Sequence, residues 1–306
     1  MRNSLKIESL SYFQQEFCFL ELILSESLLV LQLIFDAFNV GRYETAALDG
    51  CPDGYMQLSE MGRPYTGGSW CGSSTGYAVY YSETSTVTVS VKLFQSPHHA
   101  ASPFEFQLRY KFVSHDEAVV RFGSVGAPLE RGEVVPGTYC SRNYYECYRK
   151  RCRLQSPNYP GMYPRNVTCY LTLRQKTIPN CKHAMISVRQ ESEHKMQIKR
   201  AVTMASLNKT SRALRAWRDC TGERDHLIFY DGSSTDDPVL VKFCGGDWLP
   251  RVVSRGPEML VAFHSSPFSI PLHSSTAPSP LRGFELDVDV VFSDSDSLDY
   301  SREPRR

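Results

Sequence analysis

Two stretches of this 306-residue chain repeat one pattern, with cysteines in matching places, and this repeat constrains the fold more than any other feature. The first copy opens at Cys51, runs through Asp53-Gly54-Tyr55-Met56-Gln57-Leu58 and reaches Cys71-Gly72. It continues as Val87-Thr88-Val89-Ser90-Val91-Lys92-Leu93-Phe94 and closes on Phe104-Glu105-Phe106-Gln107-Leu108-Arg109-Tyr110. The second opens at Cys220, runs through Asp225-His226-Leu227-Ile228-Phe229-Tyr230-Asp231-Gly232 and reaches Cys244-Gly245. Met259-Leu260-Val261-Ala262-Phe263 follows, and Gly283-Phe284-Glu285-Leu286-Asp287-Val288-Asp289-Val290 closes it. The cysteine spacings are 20 and 24 residues. Each copy holds several strands, so the repeat indicates duplicated domains rather than a solenoid. Cysteines matched across copies point to disulfides, and a chain of this length accommodates two ordinary domains.

Period-2 alternation bounded by Gly, Pro, Ser and Asn recurs along the chain, without helical heptads. Val87 to Phe94 and Phe104 to Phe112 read as strands with one polar face. In the last strand the alternation places Glu285, Asp287 and Asp289 outward and Phe284, Leu286, Val288 and Val290 inward. Such strands suit antiparallel sheets with one wet face, hence an all-β sandwich class.

The 34 basic and 33 acidic residues leave no global field that would favour nucleic acid or an anionic membrane. Ten cysteines fit an oxidising compartment. Zinc binding would need paired short cysteine spacings with histidines nearby, which this chain lacks. Asn166-Val167-Thr168 and Asn208-Lys209-Thr210 are glycan acceptor sequences, making Asn166 and Asn208 candidate glycosylation sites. The apolar run Phe17 to Phe35 contains Glu21, Glu26 and Gln32 and no small-residue cleavage site follows it, so it reads as neither signal peptide nor membrane span. No other segment reads as a span. Leu31 to Val40 reads instead as a strand leading to Cys51.

Ser156-Pro157-Asn158-Tyr159-Pro160-Gly161-Met162-Tyr163-Pro164, followed by Cys169 and the strand Tyr170-Leu171-Thr172-Leu173, precedes the second copy. With the order cysteine, aspartate, apolar strand, Cys-Gly, apolar strand and Gly-Phe strand, these residues resemble the CUB domain family and its "SPNYP…YP" signature. The resemblance covers Cys147 to Phe292. The first copy resembles only the back two-thirds of such a domain, and no comparable signature precedes it. The resemblance implies two CUB-like antiparallel β-sandwiches of jelly-roll type in tandem. The expected layout is a non-homologous segment over 1–27, a partial CUB-like domain over 28–114 and a linker over 115–139. A CUB-like domain over 140–293 with a basic insertion over 192–219, and a disordered tail over 294–306, complete it. The missing opening third suggests a truncated or misjoined coding sequence.

The same resemblance implies the disulfides Cys51–Cys71 and Cys220–Cys244, and a third joining Cys169 to an upstream cysteine. Cys147 and Cys140 are favoured over Cys152 for that role, while Cys181 has no family counterpart and Cys18 is the odd cysteine. Many CUB domains bind calcium through a glutamate before the third cysteine, an aspartate after it, and an aspartate beyond the later strand. The matching residues are Glu191 (or Glu193), Asp225 and Ser266 in the second copy, and Glu44, Asp53 and Pro97 in the first. Each set lacks the third carboxylate, so only weak, partial calcium binding is expected and no cofactor is otherwise implied.

Gly72-Ser73-Ser74-Thr75-Gly76 matches a nucleophile-elbow string, but that chemistry needs a strand-to-helix turn and a remote acid and histidine. His98-His99 stands without a metal-binding helix motif. Lys195, Lys199, Arg200, Lys209, Arg212, Arg215 and Arg218 face few acids and could hold an acidic protein surface or a sulfated glycan. The reading is of a non-catalytic, secreted or extracellular protein-recognition module. The alternative is the regulatory CUB region of a secreted protease, or of a receptor ectodomain, whose other domains lie elsewhere.

Overall fold

A computed structural model describes residues 3–8, 17–22, 29–44, 50–94, 104–114, 131–159, 161–190, 225–244, 249–271 and 283–294, and side chains from residue 31 onward except 75–77 and 114. These residues form strands and turns, with no helix among them, so the all-β class holds. They fall into two compact units. Unit 1 gathers Met1–Val125, Ser156–Val167 and Ser265–Gly283; unit 2 gathers Gly126–Gln155, Thr168–His264 and Phe284–Arg306. Strands are numbered along the chain.

In unit 1, β1 (Asn3–Glu8), β8 (Glu105–Ser114), β3 (Leu29–Val40) and β6 (Gly72–Tyr81) form one antiparallel sheet in that order. The second sheet runs β18 (Phe268–Ser269), β5 (Ser69–Trp70), β4 (Gly54–Glu60), β7 (Val87–Leu93) and β2 (Phe17–Leu22). Leu31, Leu33 and Phe35 from β3, Phe106 and Leu108 from β8, Met56 and Leu58 from β4, and Val87, Val89 and Val91 from β7 share one apolar core. The period-2 pattern of each strand delivers these side chains to a single face.

Sequence reasoning left residues 1–27 outside the repeat, yet backbone pairing places two strands there. Cys18 lies opposite Val91 as Cys169 lies opposite Phe263. The frames match because Met56 pairs with both Val91 and Trp70, as Leu227 pairs with both Phe263 and Phe243. Likewise Ile7 opposite Phe106 repeats Leu154 opposite Leu286. β1 and β2 thus hold the register positions of two unit 2 strands, although their residues carry none of the signature that flags the second copy.

Residues 156–167 close unit 1. Met162 joins its core, and its amide donates to the Val79 carbonyl at 2.6 Å. Asn158, in left-handed backbone that Asn tolerates, donates to the Tyr81 carbonyl at 2.7 Å and to Glu60 at 2.8 Å. Gly68 must stay glycine, because a Cβ there would meet the Arg165 carbonyl oxygen at 2.3 Å. The Glu60 side chain is buried and also accepts from the Tyr80 hydroxyl, the Glu83 and Thr84 amides and the Thr84 hydroxyl, with Arg63 at 3.2 Å. Phe268 and Ser269 pair in parallel with Ser69 and Trp70.

Unit 2 has a six-stranded sheet in the order β15 (Val239–Phe243), β14 (His226–Tyr230), β17 (Glu258–His264), β12 (Thr168–Arg174), β10 (Arg142–Tyr145), β9 (Glu133–Val134). Its second sheet runs β11 (Arg153–Gln155), β19 (Glu285–Asp294), β13 (Lys182–Arg189), β16 (Val252–Val253). Leu171, Leu173, Phe229, Val261, Phe263, Ile186 and Val288 are buried.

The outward placement of Glu285 and Asp287 does not hold. Both are buried, because β11 lies along that part of β19 and sets Arg153 opposite Asp287. Arg153 Nε donates to Asp287 at 2.8 Å, its Nη1 to Glu285 at 2.7 Å, and Gln155 Nε2 also reaches Glu285. Asp289, beyond the reach of β11, is half exposed and pairs with Arg189.

Three disulfides are described in full. Cys51–Cys71 is present, Cys169 bonds to Cys140, and Cys147 bonds to Cys152. The 29-residue separation of Cys140–Cys169 contributes ~3–4 kcal/mol by chain entropy, more than the 5-residue Cys147–Cys152 loop. Glu146 precedes that small loop with its carboxylate wrapped by donors. Burial alone would raise its carboxyl, but the Thr177 and Lys176 amides, the Thr177 hydroxyl and Gln175 hold it below the usual range. Cys244 is also disulfide-bonded, and its expected partner Cys220 lies outside the described residues. Among described cysteines Cys181 is free and exposed.

Candidate recognition surface and cation sites

The strand β17 is apolar on both faces: Met259, Val261 and Phe263 point into the sandwich, while Leu260 and Ala262 face outward and are nonetheless buried. Cross-strand register sets three rows on that outer face. Thr168, His264 and His226 form the first, Tyr170, Ala262 and Ile228 the second, Thr172, Leu260 and Tyr230 the third. Tyr230, Leu260 and Ala262 cluster with Ile228, apart from the sandwich core. Burial, and then neighbouring Tyr170, push the Tyr230 hydroxyl up from its ordinary value. Tyr170 keeps 42% of its surface exposed, so the second row ends in an aromatic open to solvent. Aromatics that combine an apolar body with a polar tip are enriched in protein interfaces.

The sequence held one sign of this second apolar face. An unbroken run such as Met259 to Phe263 marks a strand covered on both sides, where strict alternation would mark one wet side. Sequence reasoning did not draw Tyr170 and Tyr230 together, because they lie on β12 and β14, which touch β17 from opposite sides.

The residues nominated for calcium meet differently. In unit 1 Asp53 is held by Arg42, whose Nε and Nη2 reach its two oxygens at 2.6 and 3.0 Å; Glu44 lies 3.5 Å from the same guanidinium. The hydrogen bond to Asp53 and then its charge push the Arg42 guanidinium up; burial opposes this and Glu44 adds to it. A cation therefore already sits between the two carboxylates. Pro97 lies outside the described residues.

In the second set Asp225 is buried at the head of β14 in unit 2. Ser266 falls in unit 1, where its hydroxyl accepts from Arg165 Nη2 and donates to the Phe268 carbonyl at 3.3 Å. Arg165 is fully buried, with its guanidinium over the Tyr163 ring. Glu191 and Glu193 lie outside the described residues.

Melting of the unmodified chain should be indistinguishable with calcium and with chelator, because calcium must displace a guanidinium held by two charge-assisted bonds. Calcium-dependent melting should emerge, if anywhere, in Arg42→Gln. A clear calcium shift with Arg42 intact would refute this account of Asp53 and Glu44.

Asn166 is exposed, with positive φ, and its Nδ2 donates to the Thr66 carbonyl at 2.6 Å. Asn208 and the basic insertion over 192–219 lie outside the described residues, as do His98 and His99. The elbow-like string starts β6, with the Ser73 hydroxyl bonded to Asn39 at 2.7 Å. No described helix is long and apolar enough to cross a membrane.

Residues 140–269 match the CUB domain family. Cubilin from Sus scrofa is 25% identical over 238 residues, which are 77% of this chain and 5% of that protein. Cubilin from Homo sapiens is 46% identical over 44 residues, 14% of this chain and 1% of that protein. The chain thus spans 5% or less of the length of these curated relatives. Among solved structures, the CUB1-EGF-CUB2 domain of human MASP-1/3 matches at 16% identity and a TM-score of 0.32, over 95% of this chain and 100% of that one. Residues 140–269 therefore carry this chain's likeness to the CUB domain family.

Proposed function

We propose that the chain is a non-catalytic, extracellular protein-recognition module in which unit 1 is a second, divergent CUB-like domain. The observation that carries this reading is the disulfide-stapled β frame of residues 140–269, matched to a family of binding modules. A rigid scaffold of this kind presents side chains at fixed spacing, which lowers the ordering cost of association. The disulfides Cys51–Cys71, Cys140–Cys169 and Cys147–Cys152 fit an oxidising compartment. The register equivalence of Cys18 with Cys169 supports the CUB-like reading of unit 1.

The test is to express the full chain in a secretory host and screen it against an array of extracellular protein ectodomains. A saturable partner whose binding is lost on reduction of the disulfides is expected. Free thiols at Cys140, Cys169, Cys51 and Cys71 in the secreted protein would overturn the extracellular assignment. Hydrolase or transferase activity that tracks the purified chain would overturn the non-catalytic one.

A further inference from the structure

We propose that His226 and His264 form a binding site for a first-row divalent transition cation. The two residues are direct cross-strand partners on β14 and β17, so the backbone register, not a flexible loop, holds them side by side. Their ring centroids are 5.2 Å apart with the planes tilted by 40°. A cation ~2.0–2.1 Å from one nitrogen of each ring, at a tetrahedral angle, sets the centroids about 5 Å apart. The observed spacing meets that requirement without strand movement.

Thr168 provides the second element. It lies opposite His264 on the other side of β17, and its Oγ1 is 3.1 Å from His264 Nδ1. With Nδ1–H donating to that hydroxyl oxygen, the ring presents its Nε2 lone pair, the arrangement by which an outer partner orients a metal-binding imidazole. Both histidines are half-buried, leaving room for solvent to complete the coordination shell. Among the described residues no third His, Cys, Asp or Glu joins the pair, and two imidazoles are the ligands the proposal assigns. Imidazole ligands without carboxylates suit copper(II), nickel and zinc rather than calcium, and copper(II) binds ahead of zinc. The pair belongs to unit 2, whereas Asp53 and Glu44 belong to unit 1.

The experiment titrates the full chain with copper(II) or zinc alone, by calorimetry, in a Cys181→Ser background so that the exposed thiol does not compete. A host without N-glycosylation keeps Thr168 variants comparable. One equivalent should bind, copper more tightly than zinc. His226→Gln and His264→Gln should each weaken it at least ~10-fold, and Thr168→Val by about 10- to 100-fold. The double variant His98→Ala/His99→Ala should leave it unchanged. Unaltered affinity in both His226→Gln and His264→Gln would overturn the proposal. Should a variant misfold, the unmodified protein decides: zinc should protect His226 and His264 together from diethyl pyrocarbonate, and equal labelling with and without metal would overturn the site.

Discussion

Glu60→Ala should cost unit 1 about 3–5 kcal/mol, the range expected when one member of a buried charged network is removed. The Glu60 side chain is fully buried, and its two oxygens accept from Tyr80, Asn158, Glu83, Thr84 and Arg63. Deletion leaves the Arg63 charge and the buried Asn158 amide short of an acceptor. The loss should appear as a lowered denaturant midpoint, with weakened amide-exchange protection at Tyr81 and Met162, where residues 156–167 are held. Glu60→Gln keeps one acceptor oxygen and should fall between. A Glu60→Ala loss under ~1 kcal/mol would mean that solvent replaces the carboxylate, contrary to its burial.

Arg153→Met should destabilise unit 2 by a similar ~3–5 kcal/mol, because it strands two buried carboxylates on β19. The discriminating comparison is a triple variant, Arg153→Met with Glu285→Leu and Asp287→Leu. Breaking a buried ion network is costly, whereas replacing the whole of it with apolar side chains is often neutral or stabilising. The triple variant should therefore recover most of the loss, read from denaturant midpoints at neutral pH. If it unfolds as easily as the single variant, the network does more than neutralise its own charge.

These two networks also mark where sequence reasoning stops. β7 and β8 were readable because each alternates apolar and polar residues over seven or more positions. Alternation reports which face a residue takes, not what covers that face. Glu285 and Asp287 were therefore assigned to water although Arg153, more than 130 residues away, lies over them. β1 and β2 are six residues each and lack turn signatures, so their place emerges only from register against β8 and β7. The calcium reading nominated Glu44 and Asp53, and both carboxylates lie against the Arg42 guanidinium. Composition could not reveal that Arg42, two residues from Glu44, takes the cation's place. The outer apolar patch needed three strands in the right order, information that the run Met259 to Phe263 hints at but does not contain.

The interleaving of unit 1 has a consequence for biosynthesis. Its core and edge are completed by residues 156–167 and 265–283, both made after residue 125. At ~5–20 residues per second, the ribosome takes on the order of ten to thirty seconds to supply that remaining stretch. During this interval Glu60 waits without Asn158, and Trp70 without the Phe268–Ser269 strand. Unit 1 cannot finish before the sequence of unit 2 is nearly complete, so the order of synthesis and the order of folding differ. Nascent chains stalled near residue 150 are accordingly the ones most exposed to chaperones.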